Sequence, residues 1–152
     1  MLKLATLCVT GILCIGSVPD ANAYTFTPRS TKFTASGNFE YGPNSCNLKL
    51  RGHTTGRGRA EITSVVVQAG GQNCTATFIG LPWPTTATGP TGSNASVTIT
   101  NFGFNTSLFS CGSQSIYGTA DQNGLWTDFN PVIPDCSFLL DFLTVPAITT
   151  IQ

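Results

Sequence analysis

Residues 31–41 alternate without interruption, with Phe33, Ala35, Gly37, Phe39 and Tyr41 on one parity and Lys32, Thr34, Ser36, Asn38 and Glu40 on the other. A period of two carried that far is not an amphipathic helix; it is a strand with one face in a core and one in water. Gly42-Pro43-Asn44 ends it, and Cys46, Leu48 and Leu50 against Asn47, Lys49 and Arg51 resume the pattern, which predicts a hairpin. Residues 60–68 read as a buried strand because Val65-Val66-Val67 is continuous and β-branched, and a glycine turn at 69–72 leads to a strand over 74–79. Residues 85–96 are rich in Thr, Gly and Ser without apolar periodicity and read as a loop. Val97 and Ile99 reopen the alternation, with a bulge expected at Asn101. Strands over 116–120 and 125–128 flank an Asn123-Gly124 hairpin turn, and Pro131 and Pro134 precede a last strand over 136–145. About eight short strands with no helical period predict an all-β fold, a single antiparallel β-sandwich or barrel.

One segment resists this regularity. Gly80-Leu81-Pro82-Trp83-Pro84 brackets a tryptophan with two residues that donate no backbone hydrogen bond and that push their predecessors to extended conformations. A strand is expected to end there, holding Trp83 rigidly beside it. Two roles are open to Trp83: a plug in the core, or, with Leu81, part of an exposed apolar surface.

The amino terminus has Lys3, an uncharged run over 4–18 and Ala21-Asn22-Ala23, the small-x-small pattern that precedes signal cleavage. Residues 1–23 are therefore expected to be a signal peptide and 24–152 the secreted domain. The apolar run is too short to span a membrane as a helix. Four cysteines follow it, Cys46, Cys74, Cys111 and Cys136, an even number that in an exported chain predicts two disulfides. Of the three connectivities, sequential pairing (Cys46 with Cys74, Cys111 with Cys136) is favoured because it closes one loop in each half. No CxxC or CxxH spacing supports a metal site, and no cofactor is expected.

The formal net charge of zero conceals an asymmetry. From residue 24 to 60 the charges are Arg29, Lys32, Lys49, Arg51, Arg57 and Arg59 against Glu40; from Glu61 onward every charge is acidic (Glu61, Asp121, Asp128, Asp135, Asp141). A neutral chain with few charges is not a nucleic-acid binder. The bland expectation is that the charges mix on one surface; the sharper one is a basic rim of Arg51, His53, Arg57 and Arg59 that meets an anionic lipid, a glycolipid or a neighbour's acidic half. His53, the one histidine, lies in a stretch over 52–58 that reads as a glycine-rich turn, without a nucleophile motif, so catalysis is not expected. Asp121-Gln122-Asn123-Gly124 has the residue types of a calcium loop, but a hairpin turn needs the same ones. Asn73, Asn94 and Asn105 head Asn-x-Ser/Thr sequons, which matter only in a glycosylating host.

Several short segments, in order, resemble a family of secreted bacterial proteins known as alkane-oxidation protein activators: Phe26-Thr27-Pro28, Phe33-Thr34-Ala35-Ser36-Gly37, Cys46-Asn47-Leu48, Gly80-Leu81-Pro82-Trp83, Thr100-Asn101-Phe102-Gly103, Cys111-Gly112 and Asn123-Gly124-Leu125-Trp126. The resemblance implies an extracellular or cell-surface, non-enzymatic helper of alkane uptake, with a related role in biofilm and attachment. Its expected partners are hydrophobic or amphipathic small molecules, a cell-surface glycolipid among them. The competing expectation is a matrix or filament subunit that self-associates, using its charge split or adding residues 24–30 as a strand to a neighbour.

Overall fold

The computed structural model describes residues 24–56, 58–91, 94–131 and 136–151; the signal-peptide expectation for residues 1–23 and the positions of Arg57 and Asp135 lie outside the described residues. The described residues form eleven strands: β1 (Thr25–Thr27), β2 (Lys32–Tyr41), β3 (Asn44–Gly56), β4 (Arg59–Gln68), β5 (Thr77–Ile79), β6 (Trp83–Thr91), β7 (Asn94–Asn105), β8 (Ser110–Ala120), β9 (Leu125–Pro131), β10 (Leu139–Val145) and β11 (Thr149–Ile151). All pairings are antiparallel, in the order β7-β6-β4-β3-β2-β10-β9-β8, and β8 pairs back onto β7. That last pairing decides between the two predicted architectures. The sheet closes on itself as an eight-stranded barrel, with β5 as an extra strand on β7.

The inward parity fills the barrel with rings. Near the disulfide end Phe39, Phe78, Trp83, Phe102, Phe104 and Phe138 form one cluster, with Phe39–Phe104 and Trp83–Phe102 centroids both 4.7 Å apart. Towards the other end Phe26 stacks on Trp126 at 5.2 Å, and Phe142 lies 5.2 Å from the same indole. Phe26 belongs to β1, which pairs with β11 as a separate two-stranded sheet and delivers its ring to this cluster. Rings in these edge-to-face and offset contacts contribute about 0.5–1.5 kcal/mol per pair beyond area burial. Polar groups inside are satisfied locally: Trp83 Nε1 donates to the Ile79 carbonyl at 2.9 Å, Trp126 Nε1 to the Ile148 carbonyl at 3.0 Å, and the buried Thr54 hydroxyl to the Pro28 carbonyl at 2.7 Å.

Both disulfides have the favoured connectivity, Cys46–Cys74 and Cys111–Cys136, with sequence separations of 28 and 25. In the loop-entropy account each stabilises by roughly 3–4 kcal/mol. The first ties the start of β3 to the segment leading into β5; the second ties the start of β8 to the segment leading into β10.

Three expectations are corrected. The supposed loop over 85–96 is mostly strand, β6 followed by the start of β7. It lacked an apolar pattern because its inward positions after Trp83 are Thr85, buried with its hydroxyl donated to the Trp83 carbonyl at 3.3 Å, and the small Ala87. Of the glycine-rich turn expected over 52–58, residues 52–56 belong to β3, and an added Cβ at Gly52 would come within 2.5 Å of the Phe33 ring and the Glu61 carbonyl. His53 is therefore a strand residue. Finally, Val65-Val66-Val67 is not a buried strand. β4 pairs with β6 only from Arg59 to Ile62, so beyond Ile62 it pairs, among the described residues, with β3 alone, and Val66 is 56% exposed. Pro82, which has no N–H to extend a ladder, stands where β6 would otherwise continue along β4.

Other expectations hold. Asn101 lies in an irregularity of the β7–β8 register with φ of 60°, and the β8–β9 hairpin turns at Asn123-Gly124 with Gly124 at φ 81°.

One interior polar group is poorly served. Both amide atoms of Gln114, whose partner across the β7–β8 irregularity is Phe102, are buried without a protein hydrogen-bond partner. An unsatisfied buried polar group costs about 1–3 kcal/mol. Gln114→Met is expected to raise the midpoint of denaturant unfolding; an unchanged or lowered midpoint contradicts that placement.

Candidate functional site: the barrel exterior

The Gly80–Pro84 segment comes first because the sequence made it the leading candidate. Trp83 is fully buried, wedged against Phe102 and Phe78. Of its two roles it takes the core one, and the surface expected around it is absent: Leu81 is half-buried and packs against the core. Trp83→Ala is accordingly expected to cost about 3–5 kcal/mol of unfolding free energy, the range for large aromatic truncations in a core.

The basic rim is partly assembled. On the outer face of β2 and β3, Lys32 pairs with His53 and Thr34 with Arg51; these residues with Phe33, Gly52 and Thr63 line a shallow groove of about 520 Å³. Lys32 is the member that sequence reasoning left out of the rim, although it shares the outward parity of β2. Glu61 lies opposite His53 on β4 and moderates the positive charge. Arg59 borders a different groove with Thr55, Glu61, Pro84 and Thr86. Neither Leu81 nor Trp83 lines either groove.

The charges separate only in part. The exposed cations Lys32, Lys49, Arg51 and Arg59 occupy β2 to β4 together with Glu40 and Glu61, whereas Asp128 and Asp141 lie on β9 and β10 and Asp121 at the β8–β9 turn. The acids have structural work. Asp141 accepts a hydrogen bond from the Asp128 backbone N–H at 2.9 Å, where β9 is irregular and Asp128 has φ of 61°. Asp121 accepts from the backbone N–H groups of Asn123 and Leu125, both at 2.8 Å, and from Asn123 Nδ2 at 3.0 Å. The calcium-like sequence is thus a turn whose carboxylate is occupied by its own backbone.

The exposed apolar side chains were not identified from sequence. Leu143 on β10 pairs with Leu125 on β9, both face outward, and Val145 follows two residues along; they are 46%, 40% and 63% exposed. Alternation within the FLLDFL run was the available signal, since Phe138, Leu140 and Phe142 face in and leave Leu143 and Val145 outside. A second apolar point is the β7–β8 hairpin tip. There the Thr106 hydroxyl accepts from the N–H groups of Leu108 and Phe109 at 3.2 and 3.0 Å and donates to the Phe109 carbonyl at 3.0 Å, while Leu108 is 86% exposed. Phe109 is turned back towards Phe104, 5.9 Å between centroids.

What the geometry defines is a disulfide-linked, ring-filled β-barrel with its polar and apolar features on the outside. Outward positions of β2, Lys32 to Glu40, are polar or charged, the reverse of the apolar outer band of a membrane-spanning barrel. Among the described residues no helix is long and apolar enough to cross a membrane, and no three His, Cys, Asp or Glu side chains gather as metal ligands. The model of the alkane oxidation protein activator PraA/PraB-like family matches residues 1–152, and the chain belongs to that family. Neither curated proteins nor solved structures provide a match.

Burial would raise the Asp121 pKa, but hydrogen bonds from the backbone of Leu125 and Asn123, the Asn123 side chain and the Gly124 backbone outweigh it and hold the carboxyl below its ordinary value. A lowered folded-state pKa stabilises the fold above the unfolded value, and that contribution is lost as pH falls through the folded one. Unfolding midpoints measured from about pH 6 down to pH 2 are expected to drop in the acid limb, and Asp121→Asn to flatten part of that drop. An identical acid limb in the variant contradicts the assignment.

Proposed function

We propose that the protein is an exported, non-enzymatic accessory of alkane assimilation that adsorbs to hydrocarbon and amphipathic surfaces through its exterior. Family membership supports the accessory role. The adsorption reading rests on one observation, the outward Leu125–Leu143–Val145 stripe on β9 and β10. Two disulfides fit an oxidising compartment. Because rings pack the barrel interior, a hydrocarbon chain has its contacts outside.

Full burial of a Leu or Val side chain stabilises by roughly 1.5–3 kcal/mol, so covering three half-exposed ones yields about 3 kcal/mol. That is weak, reversible adsorption, suited to coating a droplet rather than carrying single molecules. The polar face of β2 to β4 stays in water, giving each molecule an oriented, amphipathic outline. No catalytic step is assigned.

Pendant-drop tensiometry at a hexadecane–water interface tests this directly. The native protein is expected to lower the tension. The double variant Leu125→Ser, Leu143→Ser should need roughly tenfold more protein for the same effect, the equivalent of about 1.4 kcal/mol. Trp83→Phe, an interior change, should behave as native. Equal activity of the double variant and the native protein removes the stripe from the account.

A further inference from the structure

We infer that residues 64–68 of β4 form a self-docking edge through which two copies of this chain join their sheets. In an eight-strand closed barrel every strand has two neighbours, yet among the described residues β4 loses its β6 neighbour after Ile62 and keeps only β3. β5 does not replace it, because β5 pairs with β7. Alternate backbone N–H and C=O groups of this stretch, those on the side away from β3, therefore have no strand partner among the described residues.

The chemistry of the opening selects its occupant. Unpaired backbone groups need hydrogen bonds, which an alkane lacks; covering them with hydrocarbon costs several kcal/mol for each group. An added strand satisfies them. Solvent-facing edges are normally guarded by lysine, proline or an inward charge, and Ser64-Val65-Val66-Val67-Gln68 has none of these, while Val66 and Val67 are 56% and 36% exposed. The cations nearest the edge stand on β3, which is paired on both sides: Lys49 opposite Val66 and Arg51 opposite Ser64.

The partner is a second copy because the edge is complementary to itself. In an antiparallel two-fold pairing centred on Val66, Val66 meets Val66, Val65 meets Val67, and Ser64 meets Gln68, so apolar faces apolar and polar faces polar. No charge lies within the paired residues 64–68, although β4 carries Arg59 and Glu61 further along. The nearest cations, Lys49 and Arg51, sit one strand back on each side, about 14 Å from their counterparts at a strand spacing of ~4.8 Å, beyond a Debye length at 0.1 M salt.

Such a dimer has a consequence for the surface reading above. In the ring order β9 is four strands from β4 and therefore opposite it, so joining two β4 edges turns the two Leu125–Leu143–Val145 stripes outward at opposite ends. Two weak contacts on one particle bind with avidity and bridge two hydrophobic surfaces. This consequence depends on the adsorption reading; the dimer itself is measured without oil, so either fails alone.

Sedimentation equilibrium of the purified protein over a concentration series is expected to give twice the chain mass, and Val66→Lys to return it to the single-chain mass with an unchanged far-UV circular dichroism spectrum. Paired Cα atoms about 4.5–5.5 Å apart are within disulfide range, so Val66→Cys should form a covalent dimer under mild oxidation whereas Thr63→Cys should not. A native protein that stays monomeric, a dimer indifferent to Val66→Lys, or equal cross-linking of the two cysteine variants overturns the proposal.

Discussion

Closure of the barrel by the β7–β8 pairing is the constraint on which the rest depends. Once β8 returns to β7, the inward parity of eight strands shares one enclosed volume, and the rings fill it. Small residues make closure feasible at the tightest places. Gly37 faces inward where an added Cβ would collide with the Asp141 carbonyl and the Phe142 side chain, so the β2–β10 contact requires a residue without one. The two disulfides then fix the strand starts nearest the larger aromatic cluster.

A filled interior leaves the outer wall as the surface a ligand can reach, and that wall is varied. The face made by β2 to β4 is basic and polar, and β9 and β10 carry two of the acids with an apolar stripe between flanking polar strands. The charge split along the chain survives only in part on the barrel: β2 to β4 carry Lys32, Lys49, Arg51 and Arg59 with Glu40 and Glu61 among them, and β10, paired to β2, brings Asp141 beside that face. The wall is also incomplete. Where Pro82 interrupts the line from β5 to β6, β4 loses its neighbour and exposes an uncharged edge.

Much of this was legible before the structure. Alternation in residues 31–50 gave β2, β3 and their hairpin; Asn123-Gly124 gave the β8–β9 turn; cysteine spacing favoured the connectivity found. Closure was not legible, since β7 and β8 pair through a ladder that no local pattern announces. The site was misplaced for a related reason. Trp83 drew attention by its prolines, but prolines report on backbone and not on the direction of a side chain, and parity within β6 sends the indole inward. Val65-Val66-Val67 misled in the opposite sense: β-branched continuity indicates a strand with either two covered faces or an unoccupied edge, and only the position of Pro82 in space separates the two. The apolar stripe hid inside FLLDFL, where the inward residues masked the outward ones.

The central claim is that hydrocarbon meets the outside of this barrel and not its interior. It is tested most directly by NMR with resolved methyl and aromatic resonances, titrating the protein with a short-chain alkyl amphiphile below its micelle concentration. The account predicts shifts confined to the methyls of Leu125, Leu143, Val145 and Leu108, with the rings of Phe39, Phe102 and Phe104 unmoved. Shifts centred on those three rings, with the outer methyls unaffected, would contradict it.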